Sequence, residues 1–519
     1  MLFNSYAFIL FYLPITVVMF FAIARWNHRL AASWLLLASL FFYAWWDPRF
    51  VGLLLGSIAF NYLAGVYLAN EAHRARRAVL IGAVSGNLML LAYFKYTGFL
   101  LGTVNHYSGL AFPIPEIILP LGISFFTFTQ LAFLVDAHRG IAKEPNLIHY
   151  GLFVTYFPHL IAGPVLHHKQ MMPQFAKHST YSLNWDDVSV GLTVFVIGLF
   201  KKTILADSFA DYSSPMFDSA AGGKNIPFFN AWAGVLAYTL QLYFDFSGYS
   251  DMALGLSRIL GVRLPLNFDS PYKATSIIDF WRRWHMTLSQ FLRDYLYISL
   301  GGNRHGAVRR YINLFLTMLL GGLWHGAGWT FVVWGALHGL FLAINQLWRS
   351  ILSKIGKPNL LAVGPGRYLA GATTFLSVIF AWVFFRAADL DSASRIIKGM
   401  LGLRGFIVDP SIYDYFDLGN QDWAKRIGVF VRRSTDPMLQ FERMKEAAVL
   451  LIGLLICWLM PNTQEIILKY RSGIDESASG TSSRLNWQPR LMWLTIILTM
   501  GVLALPERDR VSEFLYFQF

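Results

Sequence analysis

This chain is poor in cysteine and poor in charge. Its 519 residues include one cysteine, Cys457, so an internal disulfide or a cysteine-built zinc site is excluded. Asp, Glu, Lys and Arg make up only 14% of it, against about 25% in soluble chains. No polar stretch is long enough for a separate soluble domain of about 100 residues. No P-loop, GxSxG elbow, HExxH or CxxC occurs, so nucleotide hydrolysis, serine-hydrolase and zinc-hydrolase chemistry have no signature here.

What is present is apolar. Hydrophobic residues make up 55% and aromatics 16%, and the mean hydropathy is +0.45. These values place the chain among membrane proteins, with tryptophan and tyrosine suited to interfacial belts as well as to the core. The net charge is +13, from 43 basic and 30 acidic residues. Positive-inside loops and contact with anionic lipids account for it. No basic run stands apart from apolar segments, so nucleic acid is not an expected partner.

Residues 5–24 are apolar, but no basic segment precedes them, and Arg25 and Arg29 follow. A retained first helix is therefore expected rather than a cleaved leader, with its N-terminus on the periplasmic side. Two further spans separate those arginines from Arg74, Arg76 and Arg77, which puts both basic clusters on one face. Apolar runs near 5–24, 31–46, 49–69, 78–94, 119–135, 150–166, 187–206, 228–246, 311–328, 330–347, 367–386, 446–460 and 490–506 predict an all-α polytopic membrane protein. Glycine and proline (Gly122, Gly163, Pro120, Pro158, Pro164) interrupt several of them. Broken helices at membrane depth must be buried in protein or line a cavity.

Three divisions are expected. Residues 1–118 form N-terminal transmembrane helices. Residues 119–350 form a core around a cavity, with an amphipathic segment at 272–304. Residues 351–519 form C-terminal helices, with an extramembrane insert at 388–445 and an aromatic tail at 513–519. Segments 424–433 and 471–488 read as an interfacial helix and a loop.

The segment from 312 to 347 organises the chemistry. His325 stands in Gly321-Gly322-Leu323-Trp324-His325-Gly326-Ala327-Gly328-Trp329. A titratable ring deep in an apolar span costs free energy, so a functional role is the default expectation. The glycines let backbone or substrate approach closely. Arg310 is a candidate interfacial anchor fifteen residues upstream, which puts His325 roughly 22 Å along a helix axis. A buried neutral imidazole can take a proton from an attacking hydroxyl, and that chemistry needs no nucleophilic side chain.

Two other stretches carry polar groups. In QLYFDFSGYSDMALG (241–255), Asp245, Ser247, Ser250 and Asp251 lie at the end of an apolar span and read equally well as helix-end capping residues. In DFWRRWHMTLSQFLRDYLYISLGGNR (279–304), Phe280, Trp281, Trp284, Leu288, Phe291, Leu292 and Tyr295 recur at helical spacing opposite Arg282, Arg283, Arg293 and Asp294. This predicts an amphipathic helix at an interface. His285 interrupts it, and a lone histidine is more often packed than catalytic.

Taken in order, these three blocks resemble the membrane-bound O-acyltransferase family, most strongly over 119–350. The resemblance implies a bundle of about ten to thirteen transmembrane or re-entrant helices around a central tunnel or funnel. It implies that His325 is the catalytic histidine. His285, forty residues earlier, matches the family's second polar position. His338 matches no such position and reads as a packing or cavity residue. The bacterial exopolysaccharide O-acetylation branch is the nearest resemblance, through GGNRHG (301–306) and the tail from Glu513 to Phe519. That branch implies an inner-membrane O-acetyltransferase with alginate as the expected polymer and cellulose acetylation or D-alanylation as alternatives. It implies no tightly bound cofactor, acetyl-CoA or another acetyl thioester as donor, and a periplasmic polysaccharide acetyltransferase as partner. A C-terminal tyrosine that carries the acyl group, as proposed in related systems, would here be Tyr516. Its alternative is an interfacial anchor. Arg282, Arg283 and Lys273 would attract the anionic donor, while Trp324, Gly322 and Gly326 would border the passage.

Two readings of other classes stand beside this one. A transporter or flippase would show an internal repeat, and none is evident. A scaffold for soluble partners would have no use for a buried histidine.

Overall fold

A computed structural model describes residues 1–519 except 143–145, 162, 357–362, 409–428, 432–443, 468–484, 506–511, 513 and 516–519. Among the described residues six helices are long and apolar enough to cross a membrane: Ala7–Ala24, Pro48–Ala69, Arg76–Ser108, Trp185–Ala221, Trp329–Lys354 and Gly364–Arg386. Around them stand shorter helices such as His28–Ala44, Ile123–His138 and Leu491–Ala504, and the longer, more polar Phe228–Ile259 and Gly306–His325. Among the described residues the only sheet is one parallel pairing of Phe406–Val408 with Val429–Val431. The all-α polytopic fold holds, although several expected spans are short helices rather than full crossings. Where 150–166 was expected to cross, the helix ends at Thr155, and turns carry the chain past Pro158 and Pro164.

The Phe228–Ile259 helix is the axis of the bundle. Nearly all of it is buried, and it packs along Trp185–Phe200 through facing glycines. A Cβ on Gly198 would come within 2.5 Å of the Gly248 carbonyl, and one on Gly191 within 2.7 Å of the Gly255 carbonyl. Asp245, Ser247, Ser250 and Asp251 therefore lie inside a helix, not at its end. Ion pairs explain how carboxylates survive there: Lys202 Nζ reaches Asp245 at 2.7 Å, and Lys201 Nζ reaches Asp251 at 2.6 Å. Buried charges persist when paired and hydrogen-bonded.

The segment 272–304 is not one amphipathic helix. It is a series of short pieces, Pro271–Lys273, Ile277–Arg283, Met286–Phe291 and Leu292–Tyr297, interrupted at Trp284 and His285. Its aromatic face is buried in the bundle: Phe280, Trp281, Trp284 and Phe291 are all in the core. The helical spacing was real, but tertiary packing covers that face with protein instead of lipid.

The start of the expected insert also joins the bundle. Leu390–Met400 buries Ala393, Ile396 and Met400, and its Gly399 lies against the Ile226 carbonyl. Segment 424–433 lies outside the described residues apart from Val429–Val431, and most of 471–488 lies outside them too. Cys457 is buried and packed. The tail is not a surface anchor where it is described, because Phe514 is 1% exposed and stands edge-on to Tyr249 at 4.4 Å between ring centres.

Candidate active site

His325 is the last residue of the Gly306–His325 helix, and Gly326 leaves the helical conformation at φ −155°, ψ 149°. The following helix, Trp329–Lys354, folds back against it. Glycines allow this contact. A Cβ on Gly322 would lie 2.3 Å from the Phe331 carbonyl oxygen, and one on Gly335 would lie 2.5 Å from that of Met318. The close crossing surrounds the His325 ring with aromatics. Trp334 stands edge-on at 5.1 Å and Phe385 at 5.2 Å between ring centres.

His285 reaches the same place from a chain break. Its φ of +44° and ψ of +52° are left-handed, a conformation that costs a non-glycine residue free energy and persists only where surroundings impose it. Asn267 imposes it. Its backbone carbonyl accepts from the Met286 N–H at 3.0 Å. Its side-chain Oδ1 accepts from the Thr287 backbone N–H at 3.4 Å and from the Thr287 hydroxyl at 3.0 Å. The backbone donor identifies that atom as oxygen, so His285 Nδ1, 3.0 Å away, must donate its hydrogen to it. In the neutral ring Nε2 is then the acceptor nitrogen. The His285 and His325 ring centres lie 6.3 Å apart.

A cavity of about 430 Å³ ends on His325 and Trp324. Its far wall includes Met1, Leu2, Trp45 and Trp46. The two tryptophans are 56% and 42% exposed, so the cavity reaches the surface there. Two more cavities lie near the amphipathic pieces. One, of about 400 Å³, runs from Arg293 and Arg310 to Trp281 and Met318. The other, of about 630 Å³, holds Arg282 and Arg349. Between the second cavity and His325 stand Trp281, Trp334 and His338. The Trp281 indole donates to His338 Nδ1 at 3.2 Å, and Trp334 touches both the His338 and His325 rings. His338 is fully buried within this aromatic wall.

The remaining expected site residues divide. Arg282 is exposed and borders both basic cavities. Arg283 is held by Asp279 at 2.9 Å, and Lys273 donates to the Met460 carbonyl at 2.8 Å. Trp324 lines the cavity that ends on His325. Gly322 sits in the helix crossing, and a Cβ on Gly326 would collide with the Phe331 ring at 2.1 Å. Tyr516 lies outside the described residues. Among the described residues no three His, Cys, Asp or Glu side chains are gathered as a metal site.

Asn267 and Lys95 complete the arrangement, and motif reading missed both. Asn267 lies between the two polar stretches, with nothing in the sequence to link it to His285. Lys95 carried the same signal as His325, a titratable group inside an apolar run. With the His325 imidazole on a cavity and the His285 ring 6.3 Å behind it, the site can remove a proton from a hydroxyl that enters it and return one to a leaving group.

Comparisons with known proteins bear on the chemistry. The family model described as "MBOAT, membrane-bound O-acyltransferase family" matches residues 121–365. A Helicobacter pylori protein named "Peptidoglycan O-acetyltransferase" is 42% identical, over 78% of this chain and 80% of its own. A Pseudomonas aeruginosa protein named "Probable alginate O-acetylase AlgI" is 43% identical, over 77% of this chain and 75% of its own. A Bacillus subtilis "Teichoic acid D-alanyltransferase" is 29% identical, over 53% and 70%.

Proposed function

This chain belongs to the membrane-bound O-acyltransferase family and is a membrane O-acyltransferase, and we propose that it carries an acetyl group from a cytoplasmic thioester to hydroxyls of a polymer outside the membrane. The observation that carries this reading is His325 at the inner end of a cavity, with the His285 ring 6.3 Å away. His325 takes the proton of the attacking hydroxyl. The new O–C bond forms as the C–S bond of the thioester breaks, and the departing thiolate receives the proton from the imidazolium. His285, fixed by Asn267, orients the donor carbonyl or assists the thiolate.

The charge distribution supports an orientation. Arg25, Arg29, Arg74, Arg76 and Arg77 lie at the loops expected to be cytoplasmic, and Met1, Trp45 and Trp46 lie at the opposite ends of the same helices. The cavity that ends on His325 then opens to the periplasm, in keeping with residence in a bacterial inner membrane. Arg282, Arg310 and Arg349 line the cavities on the other approach, where an anionic donor such as acetyl-CoA would be drawn in. A soluble periplasmic acetyltransferase would collect the acetyl group, with Tyr516 as the intermediate carrier.

Acetyl is favoured over D-alanyl, because the relatives above 40% identity are named for O-acetyl transfer. Alginate is the first candidate polymer. Peptidoglycan is the second, on the strength of the 42% identical relative. Mass spectrometry of both polymers from a deletion strain complemented with wild-type, His325→Ala or Tyr516→Phe protein tests the reading. We expect ester to vanish from one polymer with His325→Ala while the protein still accumulates in the membrane. Normal ester in that strain overturns the reading. Full ester with Tyr516→Phe removes only the carrier role.

A further inference from the structure

A helix that ends inside a membrane protein leaves carbonyl oxygens without intrahelical partners, which other groups must satisfy. The helix that delivers His325 ends in this way. Its last three carbonyls are nevertheless engaged, all by one short segment from a distant part of the chain. Tyr96 Oη donates to the Leu323 carbonyl at 2.7 Å. Lys95 Nζ donates to the Trp324 carbonyl at 2.5 Å and to that of His325 at 3.1 Å. A third acceptor, Ser124 Oγ, lies 3.3 Å from the same nitrogen. An ammonium has three hydrogens and no acceptor site, so the three oxygens match it.

The segment carries one of four π-helical turns among the described residues. Ala92–Tyr96 forms a π-helical turn within the long Arg76–Ser108 helix. Such turns insert a residue into an α-helix and occur frequently at functional sites. Lys95 and Tyr96, consecutive in this turn, both reach the same helix end. Lys95 also borders the cavity that ends on His325. A cation at the C-terminal end of a helix is favourably placed against the helix dipole. The last turn, which would otherwise fray, is tied through its own backbone.

We propose that Lys95 is a positioning residue for the acyl transfer, one that holds the terminal turn of the Gly306–His325 helix so that the His325 imidazole keeps its place at the cavity. The inference rests on the reading of His325 as the base, and it goes beyond that reading by assigning the group that sets the geometry of the base. Misplacement of a reacting group by about 1 Å is enough to slow a reaction by roughly 100-fold.

The test uses the full chain in a deletion strain, with Lys95→Met, Lys95→Arg and His325→Ala side by side. Polymer ester is measured at equal membrane levels, together with the melting temperature of each purified protein. Membrane vesicles supplied with radiolabelled acetyl-CoA give the rate at saturation and the half-saturating concentration. We expect Lys95→Met to lower ester formation by about 100-fold, far more than any accompanying fall in membrane level or melting temperature, with half-saturation unchanged. Lys95→Arg, which keeps a cationic donor, restores part of the rate. Normal ester with Lys95→Met while His325→Ala is inactive overturns the Lys95 assignment alone. Normal ester with His325→Ala overturns the underlying reading and this one with it. A Lys95→Met protein that loses activity only in proportion to lost melting temperature or membrane level also overturns the positioning role.

Discussion

Asn267 Oδ1 accepts the Nδ1 hydrogen of His285 at 3.0 Å, across eighteen residues of chain. The same oxygen holds Thr287 on the far side of the break. One amide thus sets both the tautomer of His285 and the left-handed backbone that presents it. Its loss should leave a ring of the right kind in the wrong state.

Asn267→Ala is therefore expected to lower acyl transfer by on the order of 100-fold, through lost orientation of a catalytic group. Asn267→Asp, which keeps the acceptor oxygen, should retain more activity than the alanine variant. Ester content of the polymer, normalised to membrane protein, checks the order. An alanine variant as active as wild type would mean that His285 needs no such holder.

The glycines near His325 should not respond alike. A Cβ on Gly322 meets backbone at 2.3 Å, whereas one on Gly321 meets only the Leu292 side chain at 3.2 Å. Gly322→Ala must push two helices apart and is expected to cost about 1–3 kcal/mol, read as a lower melting temperature and reduced accumulation. Gly321→Ala should be near neutral, because a leucine side chain can turn aside. Equal effects of the two would contradict the packing described.

The Lys202–Asp245 pair should behave as a buried unit. Both residues are buried, their charges lie 2.7 Å apart, and Asp245 Oδ2 also accepts the Leu515 backbone N–H at 3.0 Å. Lys202→Met strands the carboxylate and is expected to destabilise by about 3–5 kcal/mol. Adding Asp245→Asn should recover much of that loss, since the carboxylate then left without Lys202 is only that of Asp207, which is partly exposed. Because the pair anchors the tail, Lys202→Met should also speed carboxypeptidase trimming of the C-terminus. Simple additivity in the two-residue cycle would sink this account.

Much of the site could be read from residue order alone. His325 drew notice because an imidazole inside an apolar, glycine-rich run is costly, and that cost depends on local composition only. The membrane class and the helical content were legible for similar reasons, whereas His285 was singled out only by the family resemblance. The polar run from Asp245 to Asp251 was misplaced because, in one dimension, polarity inside an apolar stretch looks like the edge of a membrane. Only the neighbouring Trp185–Ala206 segment, with Lys201 and Lys202, makes the interior position affordable. The aromatic face at 280–295 had the right period, but period does not say whether lipid or protein will cover it.

Residue order by itself determined that the chain is a helical membrane protein with a histidine inside an apolar, glycine-rich run. The folded chain alone decided what that histidine meets. Lys95 is 230 residues from His325, and no periodicity links them, because such a contact depends on which faces of separate helices come together. Local pattern records the cost of burying each group, whereas the partners that offset that cost are chosen only when distant segments pack.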